Sequence, residues 1–175
     1  MVNYRKNFRK YLDDLARGKP SPGGGSAACV VFCFGVSLIE KSIVYSLSKS
    51  RDNDKLTKTL KRIRLLRKNV YSCIDKDGYI FEKIIQNRGE KRAYFITKSE
   101  EIIVDVANNC KIAFSLAKGI ESGIKKSIFS DFEIGLEFIK SCLFGCLSNL
   151  EANRIIFKTR NKNITKFKKL VTKIR

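Results

Sequence analysis

Only two prolines occur in the chain, Pro20 and Pro22, and everything after Pro22 is free of the strongest helix breaker. Apolar residues in that proline-free stretch recur with a helical period. Together these features predict an all-α fold, a bundle of about five to six helices in one domain spanning 1–175. With 43% hydrophobic residues, the chain can fill a core.

A first helix is expected over 3–16, with Phe8, Tyr11, Leu12 and Leu15 on one face. Residues 17–25 read as a loop, and Ser26 stands at an N-cap-like position. A second helix should run from there to about Ser48. It is apolar nearly all round up to Ile39, so both sides should be covered, one of them by a dimer partner. The uninterrupted apolar run, Ala27 to Ile39, is only 13 residues, short of the roughly 20 needed to span a bilayer. The start, Met1 to Lys10, is polar and lacks the order of a signal peptide, so a soluble, cytoplasmic protein without membrane association is expected.

Beyond a polar break at Arg51–Asp54, a long third helix is predicted over 54–85. Its stripe is Leu56, Leu60, Ile63, Leu66, Val70, Cys73, Ile74, Phe81 and Ile84, and its outer face is basic. A turn around Gly89 leads to a fourth helix over 94–118. Ser130-Asp131-Phe132-Glu133 reads as a capping box opening a fifth helix to about Phe157. The segment 159–175 carries seven basic residues and no acid, and is either a basic tail or a short helix striped by Ile164, Phe167, Leu170, Val171 and Ile174.

The formal charge is +19. This admits two readings: an anionic partner such as nucleic acid, or compositional drift in a Lys-, Ile- and Asn-rich chain. The basic residues are spread rather than blocked, so nucleic-acid binding, if present, should lack sequence specificity. The six cysteines sit among apolar residues without a CxxC, as small thiols in a reducing compartment do. The chain has no histidine, which removes His-based acid/base catalysis and His metal ligands.

Lys19-Pro20-Ser21-Pro22-Gly23-Gly24-Gly25-Ser26 ahead of an apolar helix is the most specific motif. It is either a helix N-terminus bared for a ligand or a tight turn that lets two helices approach. Asp77 falls on the apolar stripe of the third helix and Asp75 does not. A carboxylate there is either salt-bridged or a functional group with a raised pKa. Asn149 and Asn153 share a face of the fifth helix, so they either tie helices together or hold polar ligand groups. Asp131 shares the azimuth of Asn149 but lies about 27 Å from it along the helix, and the two can join one site only through a second subunit.

"FRKYLDDLARGKPSPGGGSAACV", "LLRKNVYSCIDKDGYIFEKII" and "SDFEIGLEFIKSCLFGCLSNLEANRI" together resemble the cyclodeaminase/cyclohydrolase family, over roughly residues 5–158. Asp77 stands where that family has its D-A-x-x-F aspartate, with Gly78 in place of Ala. Asp131 matches its S-D pair, and Arg92 an arginine before the fourth helix. Ile124-Lys125-Lys126-Ser127 stand where the family has G-N-x-N.

The resemblance implies a dimeric folate one-carbon enzyme, a formimidoyltetrahydrofolate cyclodeaminase or a methenyltetrahydrofolate cyclohydrolase. Its substrate would be a tetrahydrofolate derivative, polyglutamylated forms included, with neither metal nor nicotinamide. Asp77 and Asp131 would be catalytic. Pro22, Gly23, Gly24, Gly25, Ser26, Arg92, Asn149 and Asn153 would bind substrate. The alternative is a catalytically degenerate helical protein that binds folate passively, or nucleic acid through its basic surface.

Overall fold

The computed structural model describes residues 4–47 and 54–174, with side chains from Phe8 onward. Among these residues there are seven α-helices and no strand: α1 (Tyr4–Leu15), α2 (Gly24–Leu47), α3 (Asp54–Tyr71), α4 (Cys73–Gln86), α5 (Gly89–Lys118), α6 (Phe129–Phe157) and α7 (Asn163–Ile174). The all-α expectation holds. The polar break expected at Arg51–Asp54 lies, apart from Asp54, outside the described residues.

The expected third helix is two helices. Ser72 Oγ donates to the Asn69 carbonyl at 2.9 Å, and Cys73 Sγ approaches the same oxygen at 3.6 Å. These side chains compete for a carbonyl of the helical ladder, and the helix breaks there. The stripe nonetheless continues, with Leu56, Leu60, Ile63, Leu66, Val70 and Ile84 all buried.

Three expected helix starts also shift. α5, expected from 94 after a turn around Gly89, begins at Gly89 itself, directly after the extended Arg88. α2 begins at Gly24, so Ser26 lies inside its first turn. α6 begins at Phe129, its N-cap position is Ile128, and no side chain caps it, so Ser130 and Glu133 do not form a capping box. A short 3₁₀ turn, Lys126–Ile128, runs directly into α6 and takes the place of a capping side chain.

At the centre, α2 and α6 run antiparallel. A Cβ on Gly35 would sit 2.8 Å from the Gly135 carbonyl oxygen, and one on Gly135 would sit 2.8 Å from that of Gly35. A Cβ on Gly145 would lie 3.2 Å from the Ala28 Cβ, and one on Gly24 would lie 3.6 Å from Asn149 Oδ1. Around this seam Phe32, Val36, Ile39, Ile43, Phe132, Ile139 and Leu143 are fully buried, each worth about 1.5–3 kcal/mol. By length and composition α2 could cross a membrane, because apolar residues resume at Ile43 after Glu40 and Lys41 within a 24-residue helix. In this fold its buried face is covered by α3, α4 and α6.

Polar contacts fix the periphery. Glu40 on α2 receives Arg64 at 2.7 Å and Arg67 at 2.9 Å, so two cations of the basic face of α3 clamp that helix to α2. The 159–175 segment resolves as a helix in its second part. α7 buries Ile164, Phe167 and Val171, and Lys168 pairs with Glu151 of α6 at 2.6 Å.

The glycine crossing should be the least tolerant point of the fold. In Gly135→Ala the new methyl meets backbone, which cannot rotate away. Alanine's better helix propensity, ~1 kcal/mol, does not offset the overpacking. A net loss of about 2 kcal/mol is expected in urea denaturation; an unchanged midpoint would show that the helices can separate there freely.

Candidate functional site

α2 begins with glycines, so its first N–H groups are open to a neighbour. The neighbour is Asp77. The Ser26 backbone N–H donates to Asp77 Oδ2 at 3.1 Å. This N–H lies in the first turn, where no intrahelical acceptor exists, so a carboxylate from α4 closes the end of α2. The approach requires a glycine. A Cβ on Gly25 would lie 2.5 Å from Asp77 Cγ and Oδ2. Gly78 has a matching use: the Ser21 hydroxyl occupies the space a side-chain carbon at position 78 would fill. The Pro-Gly loop and the first two turns of α4 are therefore fitted to each other.

Burial pushes the Asp77 carboxyl up from its ordinary value, and the Ser26 N–H opposes the shift without cancelling it. Among the described residues no Lys or Arg forms an ion pair with Asp77, so the salt-bridge reading of this carboxylate is not the one realised.

Tyr11 was read from the sequence only as part of an apolar face, yet its hydroxyl and Ser26 Oγ share a hydrogen bond of 3.0 Å. Burial raises its pKa too. Nothing in the spacing distinguishes a tyrosine that packs from one whose hydroxyl reaches a helix end. Tyr11, Ser21, Pro22 and Ser26 border a hollow of about 370 Å³ whose remaining wall includes Asp14, Asp75 and Glu82. On a chain of charge +19, this is a local gathering of carboxylates. Arg17 pairs with Asp14 at 2.9 Å.

The expected site residues therefore divide. Gly24, Gly25, Ser26 and Asp77 meet at the start of α2, with Pro22 and Gly23 in the adjoining loop and Asn149 beside Gly24. Asn153, one turn further along α6, is buried and its Nδ2 has no partner. Arg92 lies over the Phe157 ring at 5.6 Å, near the start of α5. Asp131 is at the opposite end of the α2–α6 pair, bound to Lys41 at 2.6 Å. Within one chain it does not share a site with Asp77.

The thiols form a separate group. Cys110 and Cys142 lie 3.4 Å apart in the core. Burial pushes the Cys29 thiol far up and that of Cys33 up to about 11, so neither is a nucleophile at neutral pH.

Fold and site thus define an all-helical protein with a carboxylate held at a glycine-built helix N-terminus. The family model described as formiminotransferase-cyclodeaminase matches residues 7–169, and the chain belongs to that family. Among solved structures, it is similar to the crystal structure of formiminotetrahydrofolate cyclodeaminase from Thermotoga maritima. The TM-score is 0.79 at 19% identity, covering 95% of this chain and 84% of that one. No curated protein matches the chain.

The raised Asp77 pKa has a stability consequence. Relative to its ordinary value of 3.8, the folded protein holds this proton more tightly than the unfolded chain. The stability this carboxyl contributes is complete below that value and is lost as pH rises through the folded pKa. Asp77→Asn, which keeps an acceptor for Ser26, should gain on the wild type as pH rises from about 4 to about 7. Thermal unfolding of both proteins across that range checks this. A variant that instead loses ground toward neutral pH would mean that the charged form is favoured.

Proposed function

We propose that this protein is a folate one-carbon enzyme, a formimidoyltetrahydrofolate cyclodeaminase or a methenyltetrahydrofolate cyclohydrolase, with Asp77 as its site carboxylate. The observation that carries the reading is the placement of Asp77 against the N-terminus of α2, beside a hollow bordered by Asp14, Asp75 and Glu82. Family membership supports the substrate class.

Both reactions pass through a cationic carbon between two nitrogens. In the cyclodeaminase, N10 attacks the formimidoyl carbon, the ring closes, and the C–N bond to the departing ammonia breaks. In the cyclohydrolase, water adds to the methenyl carbon and the bond to N5 breaks, giving the 10-formyl product. Each needs a negative field at that carbon and a group that exchanges protons near neutral pH. A carboxyl whose pKa is raised by burial suits both. Asn149 and the unpartnered Asn153 amide are assigned to polar groups of the substrate, as is the glycine turn. Arg92 is assigned to its glutamate tail, polyglutamylated forms included. The chemistry is addition to carbon, C–N cleavage and the accompanying proton transfers, it calls on neither metal nor nicotinamide, and the reading carries a cytoplasmic location with it.

Formation of methenyltetrahydrofolate from the 5-formimidoyl substrate, or its loss to the 10-formyl product, each followed by its absorbance, tests the reading. Asp77→Asn should cost about 10²–10⁴-fold in rate with the fold intact. Asp75→Asn, an exposed change on the wall of the hollow, should cost no more than a few-fold. Near-normal turnover in Asp77→Asn would refute the assignment. A wild-type protein that binds folate without turning it over would favour the passive binder.

We further propose a homodimer through the outer face of α2. Phe34, Val44 and Tyr45 remain 48%, 45% and 39% exposed there, and Phe8 of α1 meets Phe34 with ring centroids 5.9 Å apart. Lys41 lies between Phe34 and Val44 on this face and carries Asp131 with it, so a second copy is the route by which Asp131 would enter a site. Sedimentation at micromolar concentration should show a dimer; monomer alone would contradict it.

A further inference from the structure

We infer that the trough between α5 and α7 is a sequence-independent docking surface for the phosphate backbone of a nucleic acid. α7 turns Ile164, Phe167 and Val171 inward, which leaves its other rows to solvent. Lys162, Lys166, Lys169 and Lys173 follow at intervals of four, three and four residues. Lys162 immediately precedes α7 and the other three share one face of it, so the row extends over about 16 Å. Lys111 of α5 stands across from them, and the hollow between has a volume of about 560 Å³ with Leu170 in its wall. No acidic side chain lines it. Two acids on the neighbouring segments are engaged elsewhere: Glu151 with Lys168, and Glu100 with Thr159 and Asn161.

The shape selects a linear polyanion, because a concave trough fits a rod better than a flat membrane. Charge density selects the phosphate backbone. Five of the seven lining residues are lysines, the others being Thr165 and Leu170, and each ammonium pairs with phosphate as a point charge. A nucleic-acid strand carries one charge on every unit, so it meets this closely spaced row more fully than an acidic peptide of mixed composition. A duplex carries one charge per ~1.7 Å of axis, so about 16 Å of it offers enough phosphates for all five lysines. No aromatic side chain lines the trough, so bases have nothing to stack on, and lysine contacts to phosphate alone read no sequence. The trough shares no residue with the hollow beside Asp77, so this inference stands apart from the folate reading.

Fluorescence anisotropy of the full chain with a labelled 20-nucleotide oligo-dT and a 20-base-pair duplex, over a range of salt, provides the test. Five lysines on a single strand predict a slope of log affinity against log salt of about −3.5. Replacing Lys162, Lys166, Lys169 and Lys173 by Gln should flatten the slope by about 2.8 and weaken low-salt binding at least about tenfold. The pair Lys166→Gln with Lys169→Gln should give about half that change in slope, and it serves if the fourfold variant does not fold. A control with the same charge change, Lys10, Lys68, Lys76 and Lys91 to Gln, should bind within about threefold of wild type. Equal losses in control and trough variants would overturn the proposal, because the charge would then act without a site. So would absence of binding at low salt, displacement of the oligonucleotide by poly-γ-glutamate more readily than by unlabelled oligonucleotide, or capture by phosphatidylserine vesicles alone.

Discussion

Gly35 and Gly135 touch, and much of the molecule follows from that contact. Where neither helix carries a side chain, α2 and α6 approach until each carbonyl stands 2.8 Å from where the other glycine's Cβ would be. That contact sets the antiparallel register of the pair. With the register fixed, Gly24 falls beside Asn149 at one end and Lys41 beside Asp131 at the other. The start of α2 is thereby delivered to the place where α4 brings Asp77. A slip of a few residues would leave the Ser26 N–H and the Asp77 carboxylate both buried and unpaired, a state costing several kcal/mol.

The carboxylate sits in a balance of opposed terms. The helix N-terminus and the Ser26 N–H favour its charge; the surrounding apolar packing opposes it and prevails. A carboxyl whose pKa is raised in this way is a better base than an ordinary aspartate, which is the direction that proton exchange requires. The acids around the hollow extend the negative field to its mouth. A row of lysines lies elsewhere, along α7 and the adjoining edge of α5.

Much of this was legible in the sequence, for definable reasons. A buried stripe with a period of 3.6 shows itself wherever packing is one-sided, so the core faces of α3, α5 and α7 and the inward turn of Asp77 could be read directly. The break at Ser72 could not. No Gly or Pro marks it, and the hydrogen bonds that Ser72 and Cys73 send to Asn69 use residue types that also occur inside unbroken helices. Ser130 and Glu133 have the spacing of a capping box, but a preceding 3₁₀ turn makes the cap unnecessary. Tyr11 was hidden because an apolar face and a hydroxyl directed to a helix end leave the same trace in a sequence. Asp131 shows the limit of azimuth alone: it shares a face of α6 with Asn149, yet the axial distance puts it at the other end of the bundle.

The central claim is that Asp77 is a half-buried, proton-exchanging carboxyl that meets a folate. Carbon-13 NMR of the aspartate carboxyls tests it most directly, with the Asp77 signal assigned by its absence in Asp77→Asn and titrated with and without 5-formyltetrahydrofolate. The account predicts a midpoint above the ordinary aspartate value for the free protein and a displaced signal on adding the folate. An ordinary midpoint, together with a signal that the folate leaves in place, would contradict it.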